Sequence, residues 1–345
     1  MSEARIRTDG HAGRITLNRP EALNALTWDM IRAIDTALLE WADDPAITLI
    51  IIDGAGDRAF CAGGDIAQMY ATGMAGDYDY GRRFWQDEYR LNARIAQYPK
   101  PIISFLHGFT MGGGVGIGCH ASHRIVDETA QIALPECSIG LIPDVGSTLL
   151  LALAPGRFGE YLAVTGDRMG PGDALHGGFA DHFIPRADWP RLINTLCQTG
   201  TPDAIGGAPA PPSPLSQAQP LIDSTFGGER LPDIIRAIPA APPEFMRKAL
   251  EKITRNAPLA MSVTVEFIHR VRMRPTIGHA LDLEYRFTSR SMAQGDFLEG
   301  IRAALIDRDK SPQWKHPGWD RVPGRDILAM TLPLGPDALQ LEKTP

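Results

Sequence analysis

Two carboxylates, Glu136 and Asp144, follow a glycine-rich segment, residues 112–118 (GGGVGIG), in the middle of the chain. This segment comes after an apolar run, residues 102–106, that is typical of a buried strand. A turn from a strand into a helix leaves backbone N–H groups unpaired, and the helix dipole favours negative charge there. Carboxylates downstream of such a turn suit a reaction in which an oxyanion develops and a proton moves.

Dinucleotide and phosphate binding fit the spacing of the glycine-rich segment poorly. The dinucleotide pattern G-x-G-x-x-G fails, because Ile117, Cys119 and Ala121 occupy the positions that would need a third glycine. The chain also contains no phosphate-binding G-x-x-x-x-G-K-[ST] and no serine motif G-x-S-x-G. Two interpretations remain, a close helix–strand packing contact and a turn that binds an oxyanion.

A second glycine turn, Gly63-Gly64, has the same sequence context. It follows a β-branched run at residues 47–52, and a helix is predicted to start just after it. Two such turns at the same end of neighbouring strands would each supply one N–H to a common point. That arrangement is the geometry of an oxyanion hole.

Each candidate carboxylate also has a purely structural interpretation. Glu136 could cap a helix or form a salt bridge, and Asp144, which follows a proline, could close an Asx-turn. Glu88 lies on a predicted helix, residues 80–98, where a glutamate is normally solvated.

Histidines and cysteines give no separate chemistry. His107, His120 and His123 lack the spacing of metal ligands, and Cys61 has no evident base beside it. We therefore expect no metal site and interpret Cys61 as a packing residue.

The composition excludes several classes of protein. The chain has 345 residues, of which 44% are apolar and 22% charged, and its net charge of −7 argues against nucleic acid or an anionic membrane as a partner. The four cysteines have no C-x-x-C spacing, which is typical of reduced thiols in a cytosolic protein. Residues 1–10 lack the apolar segment of a signal peptide, and no uncharged apolar run reaches the ~18 residues of a membrane helix. We expect a soluble, cytoplasmic protein.

Periodicity and composition predict three regions. Residues 4–18 alternate like a β-hairpin, and residues 27–41 have helical spacing with Thr27 as N-cap. Residues 201–220 are rich in proline, alanine and glycine, which favours an irregular connector. Further helices are predicted at residues 148–154, 160–164, 172–176, 244–256, 259–272, 277–292 and 297–306, and a short strand at 179–184. We expect a core at 1–200, a connector at 201–220 and a helical segment at 221–345 that packs on the core.

These motifs resemble the crotonase (enoyl-CoA hydratase/isomerase) superfamily. Residues 60–65 and 111–116 are similar to its two oxyanion-hole segments, and residues 135–136 and 139–146 to its 3-hydroxyisobutyryl-CoA hydrolase branch. The likeness continues in residues 84–92, 284–286 and 296–314. It covers most of the chain except the proline-rich connector.

The resemblance implies an α/β fold, with a crotonase-like core of repeated ββα turns and a helical C-terminal segment, that acts on an acyl-CoA thioester. By position, Gly64 and Gly113 correspond to the oxyanion donors, and Glu136 and Asp144 to the catalytic carboxylates. It also implies substrate-binding residues: Glu88 as an acyl contact, and Ala62, Asp65 and Ile66 beside the adenine of CoA. No cofactor is implied, because CoA enters with the substrate. A homo-oligomer remains open.

The carboxylates point to hydrolysis. In the hydratase branch a catalytic glutamate stands where this chain has Gly116, and a glycine stands where it has Asp144. Glu136 would then be the general base for water or a nucleophile that forms an anhydride, and the sequence leaves both open. Asp144 would position the substrate hydroxyl or the water and help to protonate the leaving thiolate. The alternatives are an enoyl-CoA hydratase or isomerase and a non-catalytic acyl-CoA-binding protein, and Ser147, in place of a family glycine, leaves the acyl preference open.

Overall fold

The computed structural model describes residues 2–341, so Met1 and residues 342–345, at the ends of the predicted regions, lie outside the described residues. The chain forms two compact units whose segments alternate along the sequence. Unit 1 comprises Met1–Gly64, Arg90–Ala133 and Arg168–Ser216, and unit 2 comprises Asp65–Tyr89, Leu134–Asp167 and Gln217–Pro345. The division into 1–200, 201–220 and 221–345 remains a prediction.

Unit 1 contains two β-sheets. The strands are β1 Ala4–Asp9, β2 Ala12–Leu17, β3 Leu49–Gly54, β4 Ala59–Cys61, β5 Ile102–Leu106, β6 Phe109–Met111, β7 His123–Val126, β8 Gln131–Ala133 and β9 His182–Phe183. The first sheet has the order β1-β2-β3-β5-β7-β9, in which β1 and β2 pair antiparallel and the other neighbours are parallel. The second sheet, β4-β6-β8, is parallel throughout. The expected α/β fold with repeated ββα turns is confirmed.

The large sheet forms where the sequence has continuous apolar runs. Strands β3 and β5 are buried along their apolar residues, as expected for parallel strands that are covered on both faces. The ring of Trp189 packs edge-on against Phe105, with 5.0 Å between the ring centroids. The predicted hairpin and both predicted strands are confirmed.

The helices of unit 1 include several that the sequence predicts and two, at Trp189–Thr199 and Pro214–Gln217, that it does not. They are α1 Trp28–Ala42, the C-terminal part of α3 Asp79–Ala96, α4 Gly113–Gly118, α7 Pro171–His176, α8 Trp189–Thr199 and most of α9 Pro214–Gln217. Thr27 caps α1, since its side chain accepts a hydrogen bond of 3.2 Å from the backbone N–H of Met30. The predicted helix and its N-cap are both confirmed.

The regular secondary structure of unit 2 is helical within its described residues. Besides the N-terminal part of α3, its helices are α2 Ala67–Met74, α5 Ser147–Leu153, α6 Phe158–Thr165, α10 Gln219–Thr225, α11 Leu231–Arg236, α12 Glu244–Arg255, α13 Pro258–Met273, α14 Ile277–Gln294, α15 Phe297–Ile301 and α16 Gly324–Thr331. The predicted helix at 297–306 is α-helical only over α15 and continues as a π-helix, Arg302–Ile306. The proline-rich segment is less irregular than expected, because α9 and the start of α10 lie inside it.

The helices of residues 2–341 include none that is long and apolar enough to cross a membrane.

Candidate active site

The two glycine turns of unit 1 follow neighbouring parallel strands. Strands β4 and β6 pair with Cys61 opposite Thr110, so the turns leave the second sheet at the same end. Gly63 has φ +117° and Gly112 has φ +50°, conformations that favour glycine. A Cβ on Gly114 would lie 2.3 Å from the carbonyl oxygen of Cys61. The packing interpretation therefore holds for Gly114. The backbone conformations of the two turns depend instead on Gly63 and Gly112.

The predicted oxyanion donors lie in these turns. Gly113 is the first residue of α4, where a backbone N–H has no acceptor within the helix. Gly64 lies two residues before the end of the loop from β4 to α2 and forms an isolated parallel bridge with Leu26. The common end of the two turns matches the sequence expectation. The donor role of Gly64 and Gly113 remains a prediction.

Three predicted CoA-binding residues lie beside the first turn in the chain. The backbone N–H of Ala62 donates to the carbonyl of Leu23 at 3.0 Å, within unit 1. Asp65 and Ile66 begin unit 2, and the Asp65 carboxylate accepts from the backbone N–H of Ala67 at 3.4 Å. Asp65 thus supports the start of α2, and the contact of these three residues with CoA remains a prediction.

Unit 2 brings four buried carboxyl groups together, which we call the carboxylate cluster: Glu88, Glu136, Asp144 and Glu284. Glu88 lies on α3, Glu136 begins a 3-10 helix at Glu136–Ile139, Asp144 lies in the turn before α5, and Glu284 lies in the middle of α14. Three of the four are sequence-predicted site residues.

Burial raises the pKa of every member of the carboxylate cluster. It raises the pKa of Glu88 and Glu136 well above the ordinary value, and the charge of Asp144 adds to both shifts. It also raises the pKa of Asp144 to about 7 and that of Glu284 to about 8, although hydrogen bonds from Tyr89 and Thr148 partly oppose this. With these pKa values, Asp144 and Glu284 can hold and release protons near neutral pH, as acid–base catalysis requires.

The Asp144 carboxylate has its partner outside its own turn. The Tyr89 hydroxyl donates to Asp144 Oδ2 at 2.8 Å and lies 3.3 Å from the hydroxyl of Thr288. The Tyr89 ring packs edge-on against Tyr285, with 6.2 Å between centroids. Asp144 therefore does more than close a local turn.

Glu284 holds the turn that carries Asp144. Its carboxylate accepts from the backbone N–H of Gly146 at 2.7 Å, and from the N–H and hydroxyl of Thr148 at 3.0 and 2.5 Å. The turn needs such support, because Val145 and Gly146 have φ +56° and +79°. A β-branched residue in this conformation is strained, while successive amides of this kind form an anion-binding nest.

The buried polar atoms of unit 2 without a partner among the described residues include one on Glu136 and one on Ser147. Among the described residues, neither Glu136 Oε2 nor the Ser147 hydroxyl has a hydrogen-bond partner. Buried polar groups are nearly always paired, so an orphaned carboxylate oxygen indicates a place for a ligand or water donor.

Among the histidines and cysteines named above, His107 and Cys61 are both buried. Within residues 2–341, no group of three or more His, Cys, Asp and Glu side chains could hold a metal ion. His107 is buried with its ring against Trp189, and burial lowers its pKa to about 4. Cys61 is a buried free thiol.

The solvated interpretation of Glu88 is wrong, and sequence reasoning missed Tyr89 and Glu284. The spacing along α3 indicates that Glu88 is buried. Glu88 lies four residues after Phe84 and three before Leu91, so all three share one face of the helix. Glu284 interrupts an equivalent apolar stripe on α14, three residues after Leu281. A carboxylate within an apolar stripe predicts a buried carboxylate.

Known proteins resemble this chain over nearly its whole length. The sequence model of the enoyl-CoA hydratase/isomerase family matches residues 12–330. A mitochondrial 3-hydroxyisobutyryl-CoA hydrolase of Gallus gallus is 35% identical, over 97% of this chain and 90% of that protein. The Homo sapiens protein of the same name is 34% identical, over 94% and 87%.

Solved structures match equally well. A structure named as an enoyl-CoA hydratase from Rhodobacter sphaeroides is 52% identical with a TM-score of 0.96, over 98% of this chain and 100% of that chain. One named as a carnitinyl-CoA dehydratase from Mycobacterium thermoresistibile is 37% identical with a TM-score of 0.95, over 100% of both chains.

Proposed function

We propose that this chain, which belongs to the enoyl-CoA hydratase/isomerase family, hydrolyses the thioester of a short branched 3-hydroxyacyl-CoA, such as the 3-hydroxyisobutyryl-CoA of valine catabolism. The observation that carries the proposal is the carboxylate cluster, in which Glu136 and Asp144 are buried together and the charge of Asp144 adds to the raised pKa of Glu136. Further support comes from relatives named as 3-hydroxyisobutyryl-CoA hydrolases.

The proposed reaction adds water to the thioester carbonyl carbon and breaks the C–S bond. Glu136 removes a proton from the water, or attacks the carbonyl itself to form an anhydride that water then opens. Its raised pKa strengthens it as a base, and its unpaired Oε2 is available for the water or carbonyl carbon. The N–H groups of Gly64 and Gly113 are the donors that the sequence resemblance assigns to the oxyanion, each worth ~3 kcal/mol in such sites.

Asp144 completes the proton balance. With a pKa of about 7 it exists in both forms near neutral pH. Its charged form accepts a hydrogen bond from the substrate hydroxyl or the water, and its neutral form gives a proton to the leaving CoA thiolate. The proposed scheme uses no metal ion and no cofactor besides the CoA of the substrate.

Hydration of an enoyl-CoA is the second candidate. A solved structure named as an enoyl-CoA hydratase, 52% identical to this chain, favours it. A hydratase that relies on Glu136 alone would make little use of Asp144, whereas the hydrolase needs both carboxylates. A cytoplasmic location remains a prediction, because the relatives' names include the word mitochondrial.

The variants Asp144→Asn and Glu136→Gln test the proposal. Each should lower CoA release from 3-hydroxyisobutyryl-CoA, followed with a thiol reagent, by about 10²–10⁴-fold, as expected for a positioned acid–base group. The double variant should release CoA only slightly more slowly than the less active single variant, because the effects of groups that act as a unit are not additive.

A matched control is Asp326→Asn, which removes a carboxylate that pairs with His316 at 2.9 Å. This control should keep CoA release within about twofold, because Asp326 is half-buried in a pair with His316 and is not a member of the carboxylate cluster. Retention of CoA release in Asp144→Asn would contradict the assignment of Asp144.

A further inference from the structure

Tyr89 is a fully buried tyrosine whose hydroxyl meets the charged end of Asp144. Its ring is fixed against Tyr285, and its oxygen lies between Asp144 Oδ2 and the Thr288 hydroxyl. The ring has two torsions and tight packing around it, so the direction of the O–H donor is set by the fold.

Three other acids lie in the electrostatic field of Asp144. Its charge raises the pKa of Glu88, Glu136 and Glu284, so charged Asp144 and the charged forms of these glutamates disfavour each other. The hydrogen bond from Tyr89 is the larger of two hydrogen-bond contributions that favour the charged form of Asp144, and the other comes from the backbone. Glu284 fixes the backbone of the same turn through Gly146 and Thr148.

We propose that Tyr89 is a positioning residue, whose hydroxyl orients the Asp144 carboxylate by holding Oδ2 and so directs Oδ1 toward the reacting groups. This inference rests on the proposed function. Tyr89 acts through Asp144 and does not touch the substrate. The backbone anchor at Glu284 and the side-chain anchor at Tyr89 together leave Asp144 one orientation.

The variant Tyr89→Phe tests the inference, because it removes the hydroxyl and keeps the ring. We expect kcat for CoA release to fall by about tenfold to a hundredfold, the range for a lost hydrogen bond to a charged group. KM should change by less than about threefold. The pH profile of kcat should change in the limb that reports the ionisation of Asp144. This limb should move up by about one pH unit, because the lost hydrogen bond favoured the charged form of Asp144.

A matched control is Tyr161→Phe, because the Tyr161 hydroxyl likewise donates to an aspartate, Asp167, in unit 2. It should leave both kcat and the pH limb unchanged within error. In the Asp144→Asn background, Tyr89→Phe should have little further effect, because Tyr89 acts through the carboxylate. Tyr89→His, which keeps an aromatic ring with an N–H donor, should recover part of the lost kcat and serves if Tyr89→Phe fails to fold.

The outcomes separate this inference from the proposed function. If the wild type releases no CoA, the proposed function fails. If it releases CoA but Tyr89→Phe changes kcat and the pH limb no more than Tyr161→Phe, or if Tyr89→Phe and Asp144→Asn are fully additive, the positioning role of Tyr89 is wrong.

Discussion

At the scale of single residues, Glu160 shows how unit 2 buries a carboxylate that serves the fold. Arg272 donates two hydrogen bonds to it, at 2.7 and 3.0 Å, and Arg157 and His269 approach one of its oxygens at 3.0 and 3.2 Å. These partners outweigh burial and lower the pKa of Glu160 to about 2. In the carboxylate cluster, by contrast, burial and the charge of Asp144 raise the pKa of Glu88, Glu136 and Glu284, and raised pKa values of this kind are typical of functional sites.

The raised pKa of Asp144 predicts how the free energy of unfolding depends on pH. Folding raises the pKa of Asp144 from 3.8 to about 7, so the native state binds more protons than the unfolded state between these values. The contribution of Asp144 to the free energy of unfolding is therefore present below pH ~4 and is lost as the pH rises through ~7. Asp144→Asn should stabilise the protein more at pH 8.5 than at pH 5.5, by on the order of 2 kcal/mol.

Urea unfolding of the wild type and Asp144→Asn at the two pH values measures this difference. Groups far from Asp144 contribute equally to the free energy of unfolding of both proteins, so their contributions cancel in the comparison. Glu88, Glu136 and Glu284 change the difference in the same direction as Asp144 itself, because the variant removes the charge that raises their pKa values. An equal difference between the two proteins at pH 5.5 and 8.5 would contradict the assignment of a raised pKa to Asp144.

At the scale of elements, Glu160 and Arg272 join α6 to α13. Glu160→Gln should lower the free energy of unfolding by about 1.5–3 kcal/mol, because the half-buried Arg272 loses its hydrogen bonds to a buried charge. The control Glu251→Gln removes an exposed partner of Arg247 on α12 and should cost less than about 0.5 kcal/mol. Thermal or urea unfolding separates the two, and equal losses would show that the Glu160 cluster is no stronger than a surface pair.

The elements that the sequence predicts well are those with a long periodic pattern. The apolar runs of β3 and β5 and the helical spacing of α1 and α12–α14 are local signals, and the structure agrees with them within a few residues. Strands β4, β6 and β8 have three residues each, too few for a period of two to stand out. Without them, the second sheet that positions both glycine turns could not be predicted.

The residues of the candidate site likewise include some that local sequence patterns predict and some that they do not. Glu136 and Asp144 could be found because motifs surround them within a few residues. Tyr89 and Glu284 act on Asp144 and its turn from 55 and 140 residues away, respectively, and only folding brings them there. The strained φ of Val145 likewise has no local signal, because glycine would be the expected residue at that position.

At the scale of the whole molecule, the fold narrows the function to acyl-CoA chemistry but does not select the reaction. One fold hosts several chemistries, and the reacting side chains decide between them. The choice between hydrolysis and hydration therefore rests on Glu136 and Asp144.

The most direct test of the central claim is to follow two signals with the purified wild-type protein. Free thiol is measured with 3-hydroxyisobutyryl-CoA and with isobutyryl-CoA, and loss of enoyl absorbance is measured with crotonyl-CoA. We predict rapid thiol release from 3-hydroxyisobutyryl-CoA, at least about tenfold faster than from isobutyryl-CoA because an unpaired Asp144 costs ~1–3 kcal/mol, and little hydration of crotonyl-CoA. Robust hydration of crotonyl-CoA with negligible thiol release from either saturated substrate would contradict the account.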